Sequence, residues 1–397
     1  MFRRFLSLIQ SPVSRPLPHY VPKPNIGLVS LVPLVVRPLK YVKRLRLVPT
    51  LRYKLNTPSR PDMNKTNPIA IRQIISFISI ILAFPVSLLA VDEPIVGVAG
   101  PAINMIYAFV ARDAGLFKKY SIEPKLVVFD SGSVLAQAAM SGDAKMSVTS
   151  GPVTIASRTQ GADAIIIASC VNTPPYSIVA AKSITRWDQL KGKRIAMSRF
   201  GSGTDTSLRL VLRKFNIDAA KDVIILQLGT QPSRYQALLA GKIEATIISP
   251  PLDLMAKKDG FNILVNIPDL GIPYPQQTVE TTDRFVREHP QTVKNFLKGF
   301  IEGVHFAAKN KDHTKKTILK YLQTSSDPEI LEATYQSYIQ VTDYTGYPNL
   351  EGIRNAMDEV ALRVPAVKNK KPEDFIDTRF LKELEKEGFF KQLQKKS

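Results

Sequence analysis

Short apolar segments of strand length alternate with amphipathic segments of helical length from Glu93 onward, and this alternation constrains the fold more than any other feature. Glycines follow the helical segments, as at Gly115, Gly142 and Gly161, which fits left-handed C-terminal caps. Repeated strand–helix units predict a parallel sheet that is covered by helices. The predicted strands of this first series are 94–99, 125–129, 145–149 and 164–169.

A second series of the same kind begins after Pro174 and Pro175. Its predicted strands are 176–181, 194–197, 223–228, 243–248 and 262–267. After about residue 283 only helical segments follow, so the sequence predicts an α/β protein with two lobes, two crossing strands between them and a C-terminal helical tail. With crossings at 177–182 and 276–282, lobe 1 comprises 93–178 and 280–397, and lobe 2 comprises 182–275.

The charge of the chain is concentrated in its N-terminal part. The formal net charge is +20, but residues 1–90 hold 14 basic residues and one acidic residue, which leaves 40 basic and 33 acidic residues in 91–397. No basic stripe interleaved with aromatic residues stands out in this body, so we expect no nucleic-acid partner. Cys170 is the only cysteine, which excludes an internal disulfide and a cysteine-rich metal site.

Residues 63–90 have the pattern of a secretory signal peptide. A basic start at Met63 precedes the apolar run 74–90, which ends in the small residue Ala90. We expect cleavage after Ala90 and a periplasmic mature protein, 91–397. An uncleaved membrane anchor is the alternative, although the run is shorter than the roughly 20 residues of a spanning helix.

Residues 1–62 are rich in proline, arginine and leucine and show neither helical nor strand periodicity. Because a signal peptide acts near an N-terminus, the economical interpretation is that translation starts at Met63 and that 1–62 reflects a mis-assigned start; otherwise 1–62 is a non-structural leader. A disordered basic arm and a transit peptide are the alternatives.

Polar, glycine-containing loops follow the predicted strands in both series. Ligands of open α/β sheets bind beyond the carboxyl ends of the strands, where the N–H groups of helix N-termini favour an anion. Helix capping is the alternative role of the serine, threonine and asparagine residues in these loops. Because the loops come from both lobes, they predict one cleft, with the ligand-binding residues Asn104, Tyr107, Ser131, Gly132, Ser133, Ser150, Gly151, Arg199, Gly201, Ser202, Gly203, Thr204 and Ser249.

Arg199 is the only cationic side chain within these loops, so it is the candidate partner of a ligand carboxylate, sulfonate or phosphate. A surface arginine that does not contact the ligand is the alternative. The loop 198–204 is glycine-rich but lacks the lysine of an ATP-binding loop, and no such motif occurs elsewhere in the chain. An ATPase that acts with this protein would therefore be a separate chain.

Four segments, Ala108–Tyr120, Trp187–Ala196, Tyr235–Ala245 and Thr281–Pro290, resemble one family in order and spacing. This family is that of the nitrate-, taurine-, alkanesulfonate- and thiamine-precursor-binding proteins of ABC importers. The resemblance implies a periplasmic-binding-protein-like fold and capture of a small organic solute, expected to be an anion, between two lobes. It also implies delivery of this ligand to a permease and an ATPase at the inner membrane. We expect a monomer without a cofactor or bound metal.

Two other function classes are weighed against this interpretation. One branch of the resemblance is enzymatic, a thiamine-pyrimidine synthase that carries a cysteine cluster and consumes its own histidine. Cys170 is alone here, and the histidines lie in the leader or the helical tail, so we expect no catalysis. A ligand-sensing domain is the other class, and it would need a signalling or DNA-binding module, which residues 1–90 do not supply.

Overall fold

The computed structural model describes residues 92–100, 102–322 and 326–395. The predicted leader 1–62 and the predicted signal peptide 63–90 lie outside the described residues. The described residues form two five-stranded sheets with helices packed around them, and helices alone follow the last strand. The expected α/β class with a C-terminal helical tail is thereby confirmed.

Lobe 1 is built from strand–helix units and one strand that returns late in the chain. Its elements are β1 (Ile95–Ala99), α1 (Ile106–Asp113), α2 (Leu116–Lys119), β2 (Lys125–Phe129), α3 (Gly132–Met140), β3 (Met146–Thr149), α4 (Gly151–Thr159), β4 (Ala164–Val171) and β10 (Gln277–Thr282). The sheet has the order β2-β1-β3-β10-β4. β1 pairs in parallel with β2 and β3, whereas β10 is antiparallel to both of its neighbours.

Lobe 2 repeats this plan. Its elements are β5 (Ser177–Ala180), β6 (Arg194–Met197), α5 (Gly203–Lys214), β7 (Ile224–Gln227), α6 (Gln231–Leu239), β8 (Ala245–Ile248), α7 (Leu252–Lys258) and β9 (Asn262–Asn266). The sheet has the order β7-β6-β8-β5-β9, and β5 is antiparallel to β8 and β9. Each sheet therefore contains an antiparallel strand, which corrects the purely parallel sheet that the sequence predicts.

The chain passes between the two sheets in the short segments 172–176 and 271–276. The sequence places these crossings a few residues later, at 177–182 and 276–282. Most of those residues instead belong to β5 and β10, which have hydrogen-bonded strands on both sides. Buried backbone N–H and C=O groups need hydrogen-bond partners, and an extended segment rich in β-branched residues finds them as a strand of the sheet. The crossing between the lobes is therefore made by the loop that precedes each of these strands.

The helical tail packs on lobe 1. Its helices are α8 (Asp283–Glu288), α9 (Pro290–Lys309), α10 (Lys311–Leu322), α11 (Pro328–Gln340), α12 (Leu350–Ala361), α13 (Arg379–Lys386) and α14 (Phe389–Lys395). The helical segment that follows residue 283 is divided at Pro290, which has no N–H for the helical ladder and begins α9. None of the helices in the described ranges combines the length and apolar character that crossing a bilayer requires.

α9 is the central helix of the lobe 1 core and lies close to α1 and α2. Its buried face carries Phe296 and Phe300, which stack on each other and are completely enclosed. Gly303 permits the close approach, because a Cβ atom at this position would lie 2.6 Å from the Cβ of Ala111. A side chain at position 303 would therefore force α9 away from α1.

We expect Gly303→Val to destabilise the protein by about 1–3 kcal/mol, the usual cost of inserting atoms into a packed core. Thermal and urea unfolding of the purified protein measure this change. Gln291→Val, at an exposed position of α9, is the control for a valine placed in this helix. Valine has a higher helix propensity than glycine, so propensity does not account for a loss of stability at position 303. Equal unfolding midpoints for the two variants would contradict the close packing of α1 and α9.

Candidate functional site

The carboxyl ends of strands from both sheets meet at one cavity, which encloses about 40 Å³ between the lobes. The loops after β1, β2 and β3 form its lobe 1 wall, and the loops after β6 and β7 form its lobe 2 wall. The crossing segments close it with Tyr176 and Gln276. Its polar or glycine lining residues are Gly100, Asp130, Ser131, Gly132, Ser150, Tyr176, Ser198, Ser202, Gly203, Thr204, Gly229, Thr230, Gln231, Arg234 and Gln276.

Two helix N-termini contribute to the lobe 2 wall. α5 is capped by Ser202, whose hydroxyl accepts a hydrogen bond from the N–H of Asp205, and α6 is capped by Thr230. Ser198 and Thr204 join Ser202 in a buried cluster of hydroxyls, with oxygen–oxygen distances of 2.7–3.1 Å. Helix N-termini and hydroxyl donors together favour a bound anion over a cation.

Arg234 is the dominant charge of this wall. It is 1% exposed, and its guanidinium donates hydrogen bonds to the backbone oxygens of Gly229 and Ile247. Its Nε has no hydrogen-bond partner, and no carboxylate in the described ranges forms an ion pair with it. Burial lowers its pKa to about 10, so the side chain remains a cation at neutral pH. A buried cation without a counter-ion is unfavourable, and an anion in the cavity would compensate it.

Gln231 lies next to Arg234 on α6 and is held by the loop after β8. Its Oε1 accepts hydrogen bonds from the N–H of Ser249, at 2.6 Å, and from the hydroxyl of Ser249, at 3.1 Å. With the amide oxygen used in this way, the Nε2 group of Gln231 retains its two donors for a ligand. Ser249 therefore acts on the cavity through Gln231 and does not line the cavity itself.

The lobes are in close contact at Gly203. A Cβ atom there would lie 2.5 Å from the hydroxyl of Ser150 and 2.7 Å from Nε2 of Gln276. Gln276 continues this contact, because its Nε2 donates to the hydroxyl of Tyr176 and its Oε1 accepts from the hydroxyl of Ser207, both at 2.9 Å. The crossing segment thus connects the lobe 2 helix α5 with the wall of the cavity.

The structure brings six of the predicted ligand-binding residues together around the cavity. They are Ser131, Gly132, Ser150, Ser202, Gly203 and Thr204. The other seven lie close by but do not line it: Asn104, Tyr107, Ser133, Gly151, Arg199, Gly201 and Ser249. Tyr107 is fully enclosed in the lobe 1 core, where its ring packs on Tyr338 and its hydroxyl bonds Thr342.

Arg199, the predicted anion partner, lies outside the cavity lining. Its side chain is 47% exposed, and its Nη2 is 3.8 Å from Oδ2 of Asp130 in the opposite lobe. An ion pair this exposed contributes little to stability. Asp130 also lines the cavity, so the pair lies beside the ligand space and joins the two lobes there.

Arg234 is the polar lining residue that the sequence interpretation missed most clearly. The loop after β7 had a weaker pattern than the others, because it has one glycine and runs directly into α6. One signal was present in the sequence: an arginine near the start of a helix, where the helix dipole disfavours a cation. The unfavourable interaction of a cation with the helix N-terminus has to be offset by another interaction, and an anionic ligand would provide it.

Two α/β lobes with a polar cavity between them define a fold of the periplasmic-binding-protein type. Residues 102–314 match the family model described as NMT1/THI5 like, which covers more than half of the chain. The chain therefore belongs to the NMT1/THI5-like family, and the resemblance identified from its sequence is confirmed.

Curated relatives and solved structures are similar to most of the body. YtlA of Bacillus subtilis (strain 168), which carries the name of a binding protein, is 23% identical over 68% of this chain and 84% of its own length. A Brachyspira hyodysenteriae protein, named as an ABC transporter periplasmic binding protein, is 28% identical over 45% of this chain and 49% of its own length.

Two solved structures illustrate the likeness of the fold. The alkanesulfonate-binding protein SsuA from Xanthomonas axonopodis pv. citri, bound to MOPS, has a TM-score of 0.58 at 19% identity and covers 70% of this chain and 95% of its own. The nitrate-binding protein NrtA from Synechocystis PCC 6803 has a TM-score of 0.60 at 12% identity and covers 74% of this chain and 88% of its own.

We expect Gly203→Val to hold the lobes apart, because its side chain would overlap Ser150 and Gln276. Small-angle scattering of the ligand-free protein should give a larger radius of gyration than that of the parent. Lys214→Val, at an exposed position of the same helix, is the control. A radius of gyration equal to that of the parent and the control would show that the lobes do not meet at Gly203.

Proposed function

We propose that this protein is the periplasmic solute-binding component of an ABC importer and that it holds a small anion between its lobes. The observation that carries the proposal is Arg234, a buried cation that pairs with no carboxylate of the described residues and that lines a cavity between two lobes. Membership of the NMT1/THI5-like family and the names of the curated relatives support a role in binding and import.

The chemistry of the cavity narrows the class of ligand. Arg234, the N-termini of α5 and α6, and the hydroxyls of Ser198, Ser202 and Thr204 are all donors or positive charges. They suit a compact anionic group with several oxygens, such as a sulfonate, nitrate or carboxylate. The cavity, of about 40 Å³, has room for such a headgroup.

Binding without turnover is part of the proposal. The hydroxyls of Ser198, Ser202 and Thr204 are hydrogen-bonded to one another, and neither histidine nor cysteine is among the residues that line the cavity. An activated serine needs an adjacent general base, which this wall does not provide. Cys170 lies in the core of lobe 1, where burial raises the pKa of its thiol far above neutral pH.

The proposal also covers export of the protein and the partners that receive its ligand. We infer that residues 63–90 act as a signal peptide and that the protein works in the periplasm as a monomer, which delivers its ligand to a permease and a separate ATPase. A ligand held by both lobes binds the closed form more tightly than the open form, and the permease would distinguish the two by this closure.

We expect Arg234→Gln to weaken anion binding at least tenfold, about 1.4 kcal/mol, because it removes the charge that pairs with the ligand. Isothermal titration with nitrate, methanesulfonate, taurine and acetate measures the loss for whichever anion the parent binds. Arg199→Gln removes the same charge at the edge of the cavity and is the matched control, with an expected change of less than threefold.

The unfolding temperature of the Arg234→Gln protein distinguishes a role of Arg234 in ligand binding from a role in folding. Arg234 is buried without a counter-ion, so we expect ligand-free Arg234→Gln protein to unfold at a temperature no lower than that of the parent. Loss of affinity with retained stability supports the proposal. Unchanged affinity in Arg234→Gln, or a parent that binds none of these anions, would refute the anion site.

We also expect mature protein recovered from the periplasm to begin at Val91 or Asp92. N-terminal sequencing after expression of the full chain in a Gram-negative host tests this expectation. An intact Met1 or Met63, or protein retained in the membrane fraction, would contradict export with cleavage after Ala90.

A further inference from the structure

A second cavity, of about 200 Å³, lies between the lobes and is formed by residues other than those around Arg234. Lobe 2 lines it from α7, from the loop before α7 and from β9. Lobe 1 lines it from Ile103, from α11 and from Val341, the residue that follows α11. The first crossing segment and the start of β5 complete the wall with Pro175 and Ser177. Both lobes and a crossing therefore contribute to this space.

Asp253, on α7, is the buried charge of the second cavity. It is 5% exposed, and its carboxylate accepts hydrogen bonds from the hydroxyl of Ser177, at 2.6 Å, and from the N–H of Leu254, at 2.7 Å. The backbone N–H of Asp253 also stabilises the charged form, and an ionised carboxylate offers about four acceptor sites, so at least one remains. Within the described ranges no lysine, arginine or histidine forms an ion pair with it. Asp253 is thus a buried anion without a cationic partner.

Helix capping alone does not account for this charge. Asp253 lies in the first turn of α7, where a negative charge is favourable, but the site is desolvated, and burial raises the pKa of the carboxyl to about 6. A neutral asparagine could accept a hydrogen bond from Ser177 without the cost of burying a charge. The combination of a carboxylate with a cavity therefore indicates a cationic ligand.

We propose that this second cavity is a binding site for a small organic amine, whose ammonium group pairs with the carboxylate of Asp253. The apolar lining, which includes Leu254, Ile263 and Val341, would take up the hydrocarbon body of the amine. Lys257 lies one turn after Asp253, is exposed, and also lines the cavity. Its positive charge disfavours a second ammonium group, so the site selects a monoamine over a diamine.

The position of the cavity links this site to the arrangement of the lobes. Ile103, Ser337 and Gln340 belong to lobe 1, whereas Asp253 and Lys257 belong to lobe 2, so an amine would contact both. A ligand that contacts both lobes favours the closed form. By thermodynamic linkage, amine and anion then raise each other's affinity by the same factor.

The test uses isothermal titration of the mature protein with 3-methylbutylamine, with 3-methylbutanol as the uncharged probe of similar shape and 1,5-diaminopentane as the diamine. We expect the monoamine to bind and the other two probes to bind at least tenfold more weakly. Asp253→Asn should reduce monoamine affinity at least tenfold. Asp259→Asn, at the other end of α7 and outside the cavity lining, removes the same charge and should leave the affinity unchanged.

Two further variants keep the result interpretable. In Ser337→Met, the longer side chain extends from lobe 1 into the cavity and should abolish monoamine binding while Asp253 is intact. This variant tests the site if Asp253→Asn does not fold. Arg234→Gln should retain monoamine binding, because the anion cavity has separate lining residues. The proposal is overturned if the parent does not bind the monoamine at millimolar concentration, or if Asp253→Asn and Ser337→Met both bind it as the parent does.

Discussion

Two short crossing segments, 172–176 and 271–276, determine the geometry of the whole body. Because they lie between the sheets, the loops at the carboxyl ends of the strands in both lobes meet in the same space. The strands that follow them, β5 and β10, are interior and antiparallel to their neighbours, so each crossing is anchored at once in a sheet. Gln276, in the second crossing, then connects the wall of the cavity with α5.

Ion pairs connect the two lobes at two further places outside the crossing segments. Asp205 of α5 is fully buried, and one of its carboxylate oxygens accepts a hydrogen bond from the N–H of Gly201. The same carboxylate forms ion pairs with Arg209, on the same helix, and with Arg363, which follows α12. The loop 198–204 is therefore held by a residue from the tail of lobe 1. At the second place, Lys258 of α7 lies 2.5 Å from Asp327 at the start of α11.

The sequence predicted the order of elements well because hydrophobic periodicity and glycine caps are local signals. Strands such as Lys125–Phe129 and Arg194–Met197 were placed with the bounds that the structure has. Locating the crossings required knowing which extended segment pairs within a sheet, and pairing is a tertiary property. Local pattern likewise marked Ser202 and Gly203, but it could not distinguish them from Tyr107, whose helical face turns into the core.

Arg234 had only a weak sequence signal, an arginine near the start of a helix, because its burial and its lack of an ion-pair partner among the described residues are tertiary properties. The same holds for Asp253, 19 positions later in the same lobe, a buried charge of opposite sign in a different cavity. A protein optimised only for stability would pair these two charges or replace them with apolar residues. Within the described residues neither charge forms an ion pair, and each lines a cavity between the lobes. At the two proposed sites, a ligand of the opposite charge would offset the energetic cost of that burial.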